Sequence, residues 1–253
     1  MADWHALSPT DKATWNDIAK QHHLSGINYF IRLMWPPFIP SPHLHVLTLQ
    51  DALDAYDGTT DTWTQSGPDC LNNGGTPELA IRAIPTPRRF AFVNFLLPQI
   101  SPPPTILEAN LDLTCTAYAK TGTGSLTLNA RPIVRLWGEG TGTGGPPGIG
   151  DLDAYHAQHP TVLWTAMGAD NVPEDTLPTE DTCDCPTLDQ VATLSLLESI
   201  AAHYADTRPY RGHRLHLSLS GFILGGSISV ASRSNANTFK RPILHIYYQH
   251  SHP

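Results

Sequence analysis

The sequence predicts a mainly β fold, arranged as an antiparallel β-sandwich. Two neighbouring stretches carry this prediction. From Leu107 to Ala117, apolar residues occupy every second position and polar residues fill the positions between them, which is typical of a strand with one face in a core. The preceding stretch, 89–97, is apolar and aromatic on both faces, which indicates a strand buried on both sides. A proline-rich link at 101–104 separates the two, because proline cannot donate to a sheet.

The composition agrees with many short strands joined by turns. Of 253 residues, 23 are proline and 19 are glycine, while charged residues make up only 15%, which disfavours a helical bundle. With a formal net charge of −8, the chain is a poor electrostatic partner for nucleic acid or an anionic membrane. No apolar run reaches the roughly 18 residues of a membrane-spanning helix. The sequence therefore predicts no nucleic-acid binding and no membrane insertion.

Residues 1–35 differ from the rest and predict a helical hairpin arm. Ser8 and Pro9 suit the start of a first helix, and 27–34 predicts a second. Helices this short are marginal alone, so we expect the arm to pack on the sandwich or on a neighbouring subunit. Its predicted interface residues are Trp4, Leu7, Trp15, Tyr29, Phe30 and Trp35. A stiff proline-rich linker, 36–42, leads to the sandwich at 43–250.

A long excursion from the sandwich is predicted at 138–186. Its glycine run, 138–145, is followed by two prolines and not by a helix, which disfavours a phosphate-binding loop. We expect a mobile surface segment without regular structure, of the kind that often serves a function or an interface. One helix is predicted near 188–204, because Val191, Leu194 and Leu197 follow helical spacing.

Two kinds of ligand site are predicted from side-chain chemistry. Asp54, Asp57 and Asn73 offer the oxygen ligands that calcium uses, although Asx-rich turns have the same composition without an ion. No other cofactor is expected. Trp63 and Trp164 are candidates for stacking on sugar rings, and the alternative is that they fill the core.

The four cysteines, Cys70, Cys115, Cys183 and Cys185, permit three pairings. Cys115 lies on the apolar face of a predicted strand, which favours a free buried thiol. A disulfide from Cys70 to Cys115 or to Cys185 stays open. The lone Cys183-Asp-Cys185 pattern is a weak signal for zinc.

Several stretches, in their order along the chain, resemble the DNRLRE domain, a jelly-roll β-sandwich related to carbohydrate-binding modules. They are 54–56, 73–74, 79–81, 89–95, 106–113, 164–170, 212–219, 231–233 and 241–247. The resemblance covers roughly residues 46–248. It implies a jelly-roll fold, exposure at a surface or outside the cell, and binding or scaffolding without catalysis.

The N-terminal segment around Trp4, Lys12–Trp15 and Leu24–Gly26 is similar to helical segments of bacteriophage and prophage structural proteins. The first residues also lack the basic and apolar regions of a signal peptide. Together these features predict a non-catalytic virion protein, a capsid decoration or a tail or fibre component, whose arm anchors it to a lattice. Expected partners are other virion or filament subunits, in a homo-oligomer, and surface glycans.

The alternative is an extracellular or cell-surface carbohydrate-binding or adhesive module, or a subunit of a surface filament. Catalysis is disfavoured under both hypotheses. The sequence contains no HExxH, no GxSxG and no phosphate-binding loop, which are the motifs of common hydrolases and nucleotide enzymes.

Overall fold

The computed structural model describes residues 8, 10, 12–14, 44–67, 71–84 and 87–250. The chain divides into two compact units, Met1–His45 and Val46–Pro253. In the first unit, residues 10 and 12–14 are helical, and Thr14 Oγ1 donates to the carbonyl of Thr10 at 3.1 Å. The rest of the predicted arm and the linker lie outside the described residues, as do the predicted interface residues Trp4, Leu7, Trp15, Tyr29, Phe30 and Trp35.

The second unit is mainly β, as predicted. In chain order the strands are β1 (Leu44–Leu49), β2 (Thr59–Gln65), β3 (Glu78–Ile84), β4 (Arg89–Phe95), β5 (Pro104–Gly122), β6 (Ser125–Pro132), β7 (His156–Gln158), β8 (Val162–Leu163), β9 (Asp181–Asp184), β10 (Val191–Ser195), β11 (His213–Ser220), β12 (Ile223–Ala231) and β13 (Ile243–His250). A helix, α1 (Leu197–Tyr204), follows β10, and a 3-10 helix (Thr238–Lys240) precedes β13. In the described part of the chain, no helix is long and apolar enough to cross a membrane.

The strands form a large curled antiparallel sheet, consistent with the predicted β-sandwich, and β5 joins its two parts. The first half of β5 pairs with β13 on one edge and with β10 on the other, and β1 lies beyond β13. The second half of β5 pairs with β12, and the sheet continues through β3, β4, β11, β6 and β9. β2 pairs along the whole of β4. The main core contains buried residues from both parts, such as Leu244 of β13 and Leu128 of β6.

The alternation predicted for β5 is confirmed in its middle and wrong at its ends. Ala109 to Cys115 alternate between buried and partly exposed, but Leu107 and Ala117 are exposed. Pairing with β13 skips Leu107, and pairing with β12 skips Thr116. Each skipped residue is a β-bulge, and one extra residue moves the following side chains to the other face. Ile106 and Tyr118 therefore pack against the main core instead.

Strand β4 is buried on both faces, as predicted, but it ends at Phe95, and Leu96 is exposed. Ala91, Val93 and Phe95 belong to the main core. Phe90 and Phe92 belong to a second apolar cluster on the opposite face of the strand. The other buried members of that cluster are Ile133, Leu152, Ala157, Trp164 and Ala169. Most of them come from 138–186, so this segment covers the outer face of β4.

The expectation that 138–186 is without regular structure is wrong. The segment contains β7, β8 and β9. Leu152, Ala154 and Ala157 are fully buried, and burying apolar surface of this kind is what holds a segment on a sheet. The sequence pattern concealed this, because the buried residues are separated by glycine, proline and polar turns.

The helix predicted near 188–204 is shorter than expected. α1 begins only at Leu197, and the preceding residues form β10. Ala192 and Leu194 are buried between exposed Val191 and Thr193, so the true period here is two. One of the two buried positions that mark the strand holds the small residue Ala192. The larger side chains of Val191, Leu194 and Leu197 also fit the spacing of a helix. Pairing with β5, where Leu194 lies opposite Leu111, fixes the extended form.

Candidate anion-binding site

Arginine side chains surround a cavity of about 350 Å³ on the outer face of the sheet. Leu215 and Leu217 of β11 are buried in the main core, so alternation places Arg214 and His216 on the opposite face. The cavity is lined by Arg82, Ala83, Ile84, Arg88, Phe90, Arg131, Asp170, Arg214, His216, Leu217, Ser218 and Leu219. Four arginines thus meet a single carboxylate, in a chain with a net charge of −8.

Arg214 is the most deeply buried charge in the cavity, with 1% of its surface exposed. Its guanidinium carbon lies 4.3 Å from the centre of the Phe90 ring, a favourable cation–π distance. Its Nη2 lies 3.1 Å from Asp170 Oδ1. The remaining donors, Nε and Nη1, are buried and have no acceptor in the described part of the chain. Buried charged donors without acceptors are costly, and an anionic oxygen would satisfy them.

The other arginines leave much of their charge uncompensated. Arg131 Nη1 lies 3.4 Å from the same Asp170 oxygen that Arg214 approaches, and its Nε donates to Thr179 Oγ1 at 3.3 Å. Within residues 44–67, 71–84 and 87–250, no carboxylate forms an ion pair with Arg82 or Arg88. The side chain of Asp170 is 45% exposed, so water weakens its compensation. The cavity therefore has a positive potential.

The titration of the lining residues agrees with a positive potential. Burial lowers the pKa of Arg214 to about 10; Asp170 opposes this shift, while Arg131 and Arg88 add to it. Burial, together with the charges of Arg214 and Arg131, lowers the pKa of His216 to about 3. His216 is therefore neutral at pH 7, and its Nδ1 is buried without a partner among the described residues. Both shifts have the sign that a neighbouring anion would reverse.

The rings of the two tryptophans predicted to stack on sugars both contact other side chains of the protein. Trp164 is 5% exposed, stacks on Phe92 with 5.8 Å between ring centres, and donates from Nε1 to the carbonyl of Asp153. The prediction for Trp164 is wrong, because neither ring face is open to a sugar. Trp63 is partly exposed, and the Arg89 guanidinium lies 4.9 Å from its ring centre.

The structure separates the residues predicted to bind calcium. Asp54 and Asp57 are exposed and line an open depression after β1. Asn73 is 2% exposed, and its side-chain amide donates to the carbonyl of Trp63 in the middle of β2 at 3.0 Å. Asn73 does not line the depression. Its amide serves to attach the 71–76 turn to β2.

Cys115, Cys183 and Cys185 are free thiols, so neither Cys115 nor Cys185 takes part in the disulfides considered from the sequence. Cys70 lies outside the described residues. Burial raises the pKa of Cys183 to about 11 and that of Cys185 to about 12, and neighbouring acidic groups add to both shifts. The two thiols are therefore protonated at neutral pH and are weak metal ligands and weak nucleophiles.

Glu180 lies in a buried polar cluster with Ser199 and His213, which are residue types that also occur in catalytic sites. The Ser199 hydroxyl donates to Glu180 Oε2, and His213 Nε2 lies 2.7 Å from the same oxygen. Burial alone would raise the pKa of Glu180, but His213 and Ser199 outweigh it and hold that pKa below its ordinary value. With its pKa lowered in this way, the Glu180 carboxylate is a weak base toward the Ser199 hydroxyl. The group stabilises the contact between β11 and α1.

No protein-family model matches this chain, and no curated protein matches it. The cavity is the feature that sequence analysis missed altogether. Its arginines come from β3, β6, β11 and the turn before β4, and only the fold brings them together.

Proposed function

We propose that the protein is a non-catalytic binding protein that recognises the carboxylate groups of an acidic polysaccharide in the arginine cavity. The observation that carries the proposal is Arg214, a buried cation with two unpaired donors that lines a cavity with three further arginines. Each unpaired guanidinium donor can make a charge-assisted hydrogen bond to a carboxylate oxygen, and such bonds are among the strongest that proteins make.

The other groups of the cavity favour a sugar acid over a bare anion. Asp170 is half-exposed and can accept a hydrogen bond from a sugar hydroxyl. Ser218 and the unpaired Nδ1 of His216 offer further hydrogen bonds to hydroxyls. A volume of about 350 Å³ is at the lower end of the range for small-molecule sites, which suits one sugar residue of a longer chain.

The proposed fold is a jelly-roll sandwich like that of the DNRLRE domain. The order of the resembling motifs supports it, and so does the curled antiparallel sheet in which β5 passes from one part to the other. In such a sandwich the outer face and the connecting segments are the usual binding surfaces. The cavity, on the outer face beside 138–186, fits that role.

A virion role is a second proposal, and the tryptophan-rich arm of residues 1–35 favours it. The arm would attach the protein to a capsid or tail lattice as part of a homo-oligomer, and the cavity would then face a host surface that carries acidic glycans. Mass spectrometry of purified particles tests this: the role requires the protein in the particles, and a protein found only free in the medium contradicts it.

Isothermal titration calorimetry tests the binding proposal directly. The full chain is titrated with oligomers of a uronic acid, with the matching neutral sugar, with a sulfated sugar and with inorganic phosphate. The proposal predicts saturable binding of the uronic acid and no heat from the neutral sugar. Equal binding of phosphate would reduce the site to a general anion site, and no binding of any anion would overturn the proposal.

A further inference from the structure

Strand β7 and the residues on either side of it bring together three metal-ligating side chains that lie outside the arginine cavity. They are Asp153, His156 and His159, and one ligand atom of each lies within 4.8 Å of the other two. Asp153 is fully buried, whereas the side chains of His156 and His159 are 17% and 31% exposed. The group therefore has a buried carboxylate on its inner side and two imidazoles that are partly open to solvent.

The two imidazoles converge on one oxygen atom. His156 Nδ1 lies 2.9 Å from Asp153 Oδ2, and His159 Nδ1 lies 3.0 Å from the same oxygen. Tetrahedral zinc, with bonds of about 2.0–2.1 Å, separates its ligand atoms by roughly 3.3 Å. The two nitrogen–oxygen distances are a few tenths of an ångström shorter than this spacing, and rotation of the partly exposed rings can adjust the positions of the nitrogens.

The surrounding bonds hold the ligands in place before any ion binds. Asp153 Oδ1 accepts from the backbone N–H groups of Tyr155 and His156 at 2.6 and 2.9 Å, which fixes the orientation of the carboxylate. Trp164 Nε1 donates to the carbonyl of Asp153, and the backbone N–H of His159 donates to the carbonyl of Asp151 at 2.7 Å. Support of this kind around the first ligands is typical of metal sites.

The charge balance favours a cation as well. The described residues place no lysine or arginine in ion-pair contact with Asp153, whose only ion-pair partners are the two imidazoles. A buried carboxylate is costly unless it is paired. A divalent ion would supply that pairing in place of the two imidazole N–H groups, with the ring proton then carried on Nε2 and Nδ1 free to coordinate.

We propose that Asp153, His156 and His159 form a binding site for a divalent transition metal, with Zn²⁺ as the ion that fits the ligand set best. Two imidazole nitrogens and one carboxylate oxygen suit zinc, and a single carboxylate is too little for calcium. Three protein ligands leave a fourth position open for water or for a further ligand. The ion would brace β7 and the residues beside it, because all three ligands lie between 153 and 159, and this inference does not depend on the proposed function.

Zinc titration of the full chain, after treatment with a chelator, tests the inference. Competition with a chromophoric chelator is expected to show one tight zinc per wild-type chain. His159→Ala should lose that site, and so should Asp153→Asn, which retains an oxygen for the backbone N–H groups. The matched control is His45→Ala, which removes an exposed histidine in β1 and should bind zinc as the wild type does.

Cobalt(II) absorption gives a second readout that does not depend on affinity alone. Tetrahedral cobalt with nitrogen and oxygen ligands is expected to give intense d–d bands in the wild type and in His45→Ala, and these bands should be lost in His159→Ala. Zinc should also raise the melting temperature of the wild type. If His159→Ala binds zinc as tightly as the wild type, or if the wild type binds none, the inference is overturned.

Discussion

The guanidinium of Arg214 lies 4.3 Å from the centre of the Phe90 ring, and this contact links the cavity to the second apolar cluster. Phe90 belongs to that cluster, which the 138–186 segment builds on the outer face of β4. The segment also supplies Asp170, the carboxylate nearest to Arg214. The cavity therefore depends on the packing of 138–186 as much as on the sheet beneath it.

Replacing Arg214 by methionine is expected to abolish anion binding without loss of stability. The change removes a buried charge with two unpaired donors, and Asp170, which loses this partner, is 45% exposed and can be solvated by water, so little stability should be lost. Urea denaturation gives the stability, and calorimetry gives the binding. The control is Arg135→Met, which leaves the buried Asp175 carboxylate without its 2.8 Å ion pair and should cost on the order of 1–3 kcal/mol. A large loss of stability in Arg214→Met would contradict the account.

Arg131→Gln is expected to weaken binding of a uronic acid about tenfold, which corresponds to about 1.4 kcal/mol. The substitution removes one positive charge from the cavity wall but leaves Arg214 and its contact with Asp170. Lys240→Gln is the matched control, because it removes the same charge at a residue paired with Asp189 that does not line the cavity. Equal effects of the two substitutions would mean that only net charge matters.

Binding of an anion is expected to raise the pKa of His216 from about 3, because an anion offsets the charges of Arg214 and Arg131. By linkage, binding should strengthen as the pH falls toward the raised pKa. Without the ligand, the depressed pKa of His216 gives a contribution to the free energy of unfolding. This contribution is present above pH 6.5 and is lost as the pH falls toward 3. NMR titration of the ring, with and without ligand, measures both values, and an unchanged pKa would contradict a ligand in this cavity.

Asp61 should make the protein less stable at high pH. It is fully buried, and burial, with a smaller contribution from Glu139, raises its pKa to about 8 despite the N–H that Arg233 donates. A carboxyl whose folded pKa exceeds the ordinary 3.8 contributes stability below pH 4, and this contribution is lost as the pH rises through 8.

The variant Asp61→Asn isolates this effect, because a neutral amide imitates the protonated acid. The free energy of unfolding, measured from pH 5 to pH 9, should fall more steeply for the wild type than for the variant. Parallel curves would show that Asp61 is ionised across the whole range.

Gly168→Ala is expected to damage the floor of the cavity. Gly168 has φ +70°, and a Cβ there would lie 2.5 Å from two ring carbons of Phe90. The positive φ alone costs about 1 kcal/mol or more, and displacing Phe90 adds to it and disturbs Arg214. Gly145→Ala is the control, since a Cβ at Gly145 meets nothing within 4 Å. Thermal unfolding and uronic acid binding should both be impaired in Gly168→Ala only.

The sequence predicted those elements whose signal is local. The burial of both faces of β4 and the alternation from Ala109 to Cys115 follow directly from side-chain patterns. The bulges at Leu107 and Thr116 could not be predicted, because they depend on how β13 and β12 pair with β5. The boundary between β10 and α1 was hidden because Ala192 is too small to mark a buried position clearly.

The candidate sites differ in the same way. The arginine cavity has no local signal, because Arg82, Arg88, Arg131 and Arg214 are far apart in the sequence and meet only in the folded sheet. Asp153, His156 and His159 do have one, a spacing of three residues from each ligand to the next. That spacing was not recognised as a signal, because the segment around it was interpreted as an irregular, mobile excursion.

A crystal structure of the full chain with a uronic acid oligomer tests the central claim most directly. The account predicts a sugar carboxylate within hydrogen-bond distance of Nε or Nη1 of Arg214, with a sugar hydroxyl on Asp170. A sugar bound elsewhere on the surface, with both Arg214 donors still lacking an anionic partner, would contradict it.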